Sequence, residues 1–180
     1  MSKPKLPLYD LSLRHVGLTD AIAAYYTEAA RVCLDRHYQS PIDFDIDDSG
    51  EKLQALTEWE ATDDRTKSAW ANEIDTTEAG AYACVLAAVE LANGMVAVYR
   101  AETKTGADYY IAPAEGSIDD LEGCLRLEVS GIDKGLVSSV VQRLKAKLDQ
   151  AASGASNLPA MAGVVGFQAR LIMLKPVDNT

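Results

Sequence analysis

The stretch GMVAVYRAETKTGADYYIAPAEGSIDDLEGCLRLEVSG, residues 94–131, decides how this chain folds. Three strand candidates follow one another in it, Met95–Ala101, Ala107–Ile111 and Cys124–Val129, all rich in β-branched, aromatic and aliphatic residues. Lys104-Thr105-Gly106 makes a tight turn between the first two, and Pro113–Gly123 a longer, acidic one before the third. Upstream, Thr76 or Thr77 caps a helix running to about Leu91, which Asn93-Gly94 ends. Downstream, a helix opens at Lys134 or Gly135 and runs to about Ala152, with Leu136, Val137, Val140, Val141, Leu144 and Leu148 on its inner face. Ser153–Asn157 is a small-residue loop, and Ala162–Phe167 and Ala169–Leu174 are two final strand candidates.

The N-terminal part adds a helix and a hairpin. Leucines at 6, 8, 11 and 13 mark a short strand or an ordered arm, which could cross to a neighbouring copy. Thr19 is placed to cap a helix in which Ile22, Tyr25, Tyr26, Ala29, Val32 and Cys33 recur at helical spacing, ending near His37–Gln39 ahead of Pro41. Ile42, Phe44 and Ile46 then alternate with Asp43, Asp45 and Asp47, Asp48-Ser49-Gly50 turns the chain, and Leu53, Ala55 and Thr57 alternate on the return. This predicts a β-hairpin with one wet face. A helical segment over Asp63–Asn72 follows. The order predicts an α/β fold: a central mixed sheet flanked by helices, in one domain over 1–180. Residues 1–75 bring the N-terminal helix, acidic hairpin and helix, and 76–175 the sheet core.

Composition narrows the function classes. The chain has 180 residues, 48% of them apolar and 24% charged, which suits one globular domain and excludes a disordered tail or a fibre. Seventeen Lys+Arg against 27 Asp+Glu leave a net charge of −10, so the surface as a whole repels phosphate backbones. Cys33, Cys84 and Cys124 are isolated and lie among apolar residues, which predicts buried thiols rather than a zinc cluster or a disulfide framework. With no apolar leader at the N-terminus and no membrane-length apolar run, the expectation is a cytoplasmic protein without a membrane partner.

Two carboxylates stand out. Asp108 opens the second strand of the decisive stretch, and Glu128 lies near the end of the third. A hairpin between those strands brings both to one end of the sheet, where two carboxylates and a backbone carbonyl can hold a hard cation such as Mg²⁺. Helix, β-hairpin, third strand, helix, strand is also the order of the PD-(D/E)XK restriction-endonuclease-like superfamily, which Thr77–Phe167 resembles. The resemblance matches Asp108 to the motif Asp and Glu128 to the motif Glu, with Val129 between it and the lysine position. Glu78 is similar to the supporting acid on the preceding helix. It implies a restriction-endonuclease-like core, Mg²⁺ held by Asp108, Glu128 and Glu78, and phosphodiester hydrolysis in nucleic-acid processing or anti-phage defence.

The chain departs from that pattern at Ser130, where the motif has its lysine. Lys134, or a lysine of the following helix, is the replacement the resemblance allows. Arg143, Lys145 and Lys147 on that helix are the basic concentration that could meet phosphates, with 143 and 147 sharing a face. The alternative is a non-enzymatic acidic interaction protein: a subunit, inhibitor or immunity-type partner of a larger assembly. On that reading Asp108 caps a turn, and Glu128 is solvated or pairs with Arg126 two positions away. Small-molecule binding by a tyrosine-lined pocket is a third class. His15 and His37, at opposite ends of the first helix and about 33 Å apart if it is straight, cannot share a metal.

Overall fold

The elements are built from the periodicities just described. In this computed structural model, which describes residues 2–115 and 121–178, they are α1 Leu11–Arg14, α2 Asp20–Asp35, β1 Ile42–Asp48, β2 Glu51–Thr57, α3 Asp64–Ala69, α4 Glu73–Asn93, β3 Met95–Arg100, β4 Tyr109–Pro113, β5 Leu125–Ile132, α5 Val137–Ala152, β6 Ala160–Gly166 and β7 Leu171–Pro176. The middle of the acidic turn predicted over Pro113–Gly123, residues 116–120, lies outside the described residues.

One seven-stranded mixed sheet runs in the order β2-β1-β7-β6-β5-β4-β3. β3, β4 and β5 form an antiparallel meander. The crossover through α5 makes β6 parallel to β5, and β7 returns antiparallel to β6. The β1–β2 hairpin joins the far edge of this core through a parallel pairing of β1 with β7. Its turn is Ser49-Gly50 with φ of 56° and 97°, the left-handed pair a two-residue hairpin needs. Phe44 and Ile46 are buried while Asp45 is exposed, as the alternation predicts.

The two faces of the sheet are covered separately. Gly163 of the central strand β6 faces α4, and Gly166 faces α5, because a Cβ there would meet Val85 Cγ1 at 2.4 Å and Val140 Cγ2 at 2.5 Å, respectively. These glycines therefore serve close packing. Gly163→Ala is expected to cost about 1–3 kcal/mol by overpacking, lowering the melting temperature by roughly 2–4 °C per kcal/mol in a thermal scan. Helix α4 is buried through most of its length, with α2 packed beyond it. Small residues let the two helices approach: a Cβ on Gly80 would lie 3.0 Å from Ala30 Cα.

Several boundaries differ from the sequence reading, each for a local reason. Helix α4 starts at Glu73 and not at Thr76 or Thr77, because the Asn72 side chain accepts from the N–H groups of Ile74 and Asp75. The Thr76 hydroxyl instead donates back to the Trp70 and Asn72 carbonyls. Strand β5 runs on to Ile132 because β6 pairs with it through Gly166. The N-terminal arm bonds within its own chain: Leu6 N–H donates to Leu56 O and Leu56 N–H to Pro4 O, at the outer edge of β2.

Candidate functional site

The antiparallel register of β4 and β5 pairs Tyr109 with Leu127. One step further along, Asp108 stands opposite Glu128, and Asp108 N–H donates to Leu127 O at 2.8 Å. Both carboxylates line a cleft of about 520 Å³, walled on one side by the 101–107 turn and on the other by α5. The sequence-level pairing of Asp108 with Glu128 at one end of the sheet is thus present.

Each carboxylate already has protein partners. Asp108 Oδ1 accepts from the Tyr82 hydroxyl at 2.8 Å, and Oδ2 accepts from Val129 N–H at 2.8 Å. The Arg100 guanidinium lies 3.6 Å from Asp108 Oδ1. Glu128 Oε1 accepts from Lys147 Nζ at 2.7 Å and from Gln150 Nε2 at 2.8 Å. The Glu128 side chain is only 5% exposed. Burial pushes its carboxyl above the ordinary range, the Lys147 ammonium pulls it back, and the neighbouring Asp108 charge adds to the rise.

Behind the cleft lies an aromatic cluster. Tyr26 and Tyr109 share a hydroxyl–hydroxyl bond of 2.7 Å, and Tyr82 stacks on Tyr26 with centroids 4.8 Å apart. Arg100 lies over the rings of Tyr82 and Tyr109, 5.1 and 4.8 Å from their centroids. These tyrosines fill space against one another, so in this region they form packing and not the lining of a ligand pocket. Burial raises the hydroxyl pKa of Tyr82 and Tyr109 well above the usual tyrosine value.

The other residues singled out in the sequence lie as follows. Lys134 is exposed, 3.9 Å from Glu73 at the head of α4, and is not among the residues lining the cleft. Glu78 is exposed and also stands outside that lining; one turn further along α4, Tyr82 is the residue that reaches Asp108. Arg143 donates to Ser130 Oγ at 3.0 Å and Lys147 to Glu128, so both turn toward β5, while Lys145 is exposed elsewhere on the helix. Arg126 does not pair with Glu128. It is buried, and it donates to three carbonyls, Leu158 O, Thr105 O and Ala151 O, at 3.0, 2.6 and 3.1 Å. His37 meets Asp133 Oδ1 at 3.0 Å.

Sequence reasoning missed Tyr82, Arg100 and Gln150 as members of the cluster. Tyr82 follows Glu78 by one helical turn, and Gln150 follows Lys147 at i+3. Arg100 is visible only through pairing, since the register sets it opposite Tyr109, next to Asp108.

A hard divalent cation calls for several oxygen ligands with lone pairs to give. The donor set here is poor for it: two carboxylates, both engaged by protein donors, with two cations beside them. Among the described residues no three His, Cys, Asp or Glu side chains gather in a way that could hold a metal ion. Nor is any helix among them long and apolar enough to cross a membrane. The chain is an α/β domain with a mixed seven-stranded sheet flanked by helices. No protein-family model matches it, and no curated protein or solved structure is significantly similar to it.

Proposed function

We propose that this is a non-enzymatic acidic interaction domain, a subunit or inhibitor-type partner of a basic protein, built on a restriction-endonuclease-like scaffold. Its Asp108–Glu128 cluster ties β4, β5, α4 and α5 together. The observation that carries this reading is the charge balance of the cluster. Asp108 and Glu128 face Arg100 and Lys147, so two negative charges meet two positive ones with no ion added. The net charge of −10 supports a basic partner bound in a salt-sensitive way.

A second reading is favoured by one specific contact. Lys147 brings its ammonium to Glu128 inside a cleft that also holds Asp108, and from α5 it would supply the lysine missing at Ser130. On that reading the domain is a Mg²⁺-dependent phosphodiesterase in nucleic-acid processing or anti-phage defence. A bound Mg²⁺ would supply water activation there. Asp108 and Glu128 would hold the ion only by giving up protein donors they now accept from, and Lys147, released from Glu128, would take the role the resemblance allows Lys134.

Thermal unfolding of wild type and Glu128→Ala with Mg²⁺, Mn²⁺ and Ca²⁺ separates the two. The interaction reading expects no metal-dependent shift in either protein. An ion present at 100 times its dissociation constant would add about 2.7 kcal/mol. A rise of that size in wild type, absent from Glu128→Ala, would overturn the first reading in favour of the second.

A further inference from the structure

A second histidine-centred contact lies at the C-terminal end of α4 and has no part in the cleft. His15, at the end of α1, is completely buried. Its Nδ1 accepts the backbone N–H of Ala97 at 3.0 Å. Its Nε2 lies 2.9 Å from Glu90 Oε2 on α4, and Arg14 Nε donates to the other oxygen, Oε1, at 2.6 Å. Gly17 N–H donates to Ala97 O at 2.9 Å, so both backbone groups of Ala97 are taken by this one segment. Ala97 sits where the β3–β4 register shifts, on the strand that forms the sheet's edge. The segment 11–18 therefore caps an edge strand at its bulge.

From this geometry we infer that His15 is an acid-sensitive latch, whose protonation releases the segment 11–18 from the edge of β3. A ring nitrogen that accepts a backbone N–H has no room for a second proton. The docked state thus requires the neutral ring with its hydrogen on Nε2, donated to Glu90. Protonation at Nδ1 turns the Ala97 bond into a donor facing a donor. The charged groups facing the ring are Glu90 from α4 and Arg14 from α1. β3 presents only the Ala97 backbone, and Asp20 at the head of α2 is engaged by the Ser12 hydroxyl at 2.7 Å.

Burial lowers the His15 pKa from its ordinary 6.5, with Glu90 opposing the shift and Arg14 adding to it. The sign follows. The undocked ring takes a proton below about pH 6.5 while the docked ring stays neutral, so docking is fully stable above that pH and weakens as pH falls through it. One unit below 6.5 the opening equilibrium rises by up to about ten-fold relative to pH 7.5, the limit in which the docked ring takes no proton. Release uncovers the Ala97 N–H and carbonyl on the edge of β3, making strand pairing there pH-dependent.

The test is amide hydrogen exchange by NMR on the intact chain at pH 7.5 and 5.5, corrected for intrinsic rates. Protection of Ala97 and Gly17 is expected to fall by up to about ten-fold at the lower pH, while Val164 in β6 keeps its protection. In His15→Asn, whose amide oxygen can still accept from Ala97 but does not titrate, the fall should disappear. Equal protection of Ala97 at both pH values, or the same fall in His15→Asn, overturns the latch. If His15→Asn does not fold, the wild-type pH profile decides: Ala97 protection that shows no fall setting in near pH 6.5, or a fall that Val164 shares, also overturns it.

Discussion

Arg126→Met is expected to unfold at a markedly lower urea concentration, losing about 3 kcal/mol of stability. The guanidinium is buried and binds the carbonyls of Thr105, Ala151 and Leu158. Ala151 lies in the last turn of α5, so the arginine also sits at the negative end of that helix dipole. Methionine replaces the bulk and takes a donor from three acceptors, the buried Ala151 O and the half-buried Thr105 O and Leu158 O, a loss of roughly 1–3 kcal/mol for an acceptor left dry, partly offset by relief of the buried charge. Arg126→Lys should not rescue the loss, because one ammonium cannot reach acceptors that a planar fork spans. A loss below about 1 kcal/mol for Arg126→Met would show that water satisfies these carbonyls.

The same residue shapes the cleft. Its bonds tie the 101–107 turn to the loop after α5, where the backbones touch. A Cβ on Gly106 would lie 2.8 Å from Gly154 Cα, and one on Gly154 2.1 Å from Thr105 O. Hydrogen exchange in Arg126→Met should therefore rise first in 101–107 and 153–159, the walls beside Asp108 and Gln150.

Lys147→Met should cost about 3–5 kcal/mol, more than Glu128→Gln. The asymmetry comes from burial. The Lys147 side chain is 22% exposed and Glu128 only 5%. An unpaired lysine can swing its ammonium to water, but an unpaired Glu128 stays beside Asp108 in a low-dielectric site. The loss should depend on pH. The Glu128 carboxyl already lies above its ordinary value, and removal of Lys147 raises it further. A carboxyl whose folded pKa is raised binds more protons folded than unfolded, so stability falls as pH rises from the ordinary carboxyl value through the raised one. Urea unfolding of Lys147→Met at pH 5 and pH 8 should accordingly show the larger deficit at pH 8. Adding Glu128→Gln to Lys147→Met should recover part of it, a coupling a double-mutant cycle reads directly. A deficit independent of pH would mean that Lys147 acts through packing alone.

Much of the fold was legible because it depends on local chemistry. The alternation of Ile42, Phe44 and Ile46 with aspartates reappears as a half-buried strand, and Thr19 caps α2 by accepting from Ile22 N–H. The order of strands and helices over residues 76–175 carried the mixed sheet. Asp108 and Glu128 were legible as neighbours because a hairpin between two recognisable strands leaves them no other place.

The partners of those carboxylates were not legible. Lys147 and Gln150 reach Glu128 only because α5 crosses the sheet with that flank toward β5, an angle set by Val140 and Leu144 packing and invisible in helical periodicity. Arg126 and Glu128 share a strand face, so spacing alone suggested a pair. The competition was decided by carbonyls 21 to 32 residues away in sequence, which only the folded chain brings together. His15 had nothing beside it in the sequence to mark it. Its role depends on Ala97 and Glu90, on two other elements, and on the orientation of one buried N–H. Local periodicity specifies only part of what turns inward: of the residues it places on the inner face of α5, Val140 and Leu144 are buried, while Leu136, Val137 and Val141 are exposed. What an inward polar group binds depends on nearest neighbours in space, because burial makes a hydrogen-bond partner obligatory without saying which segment supplies it.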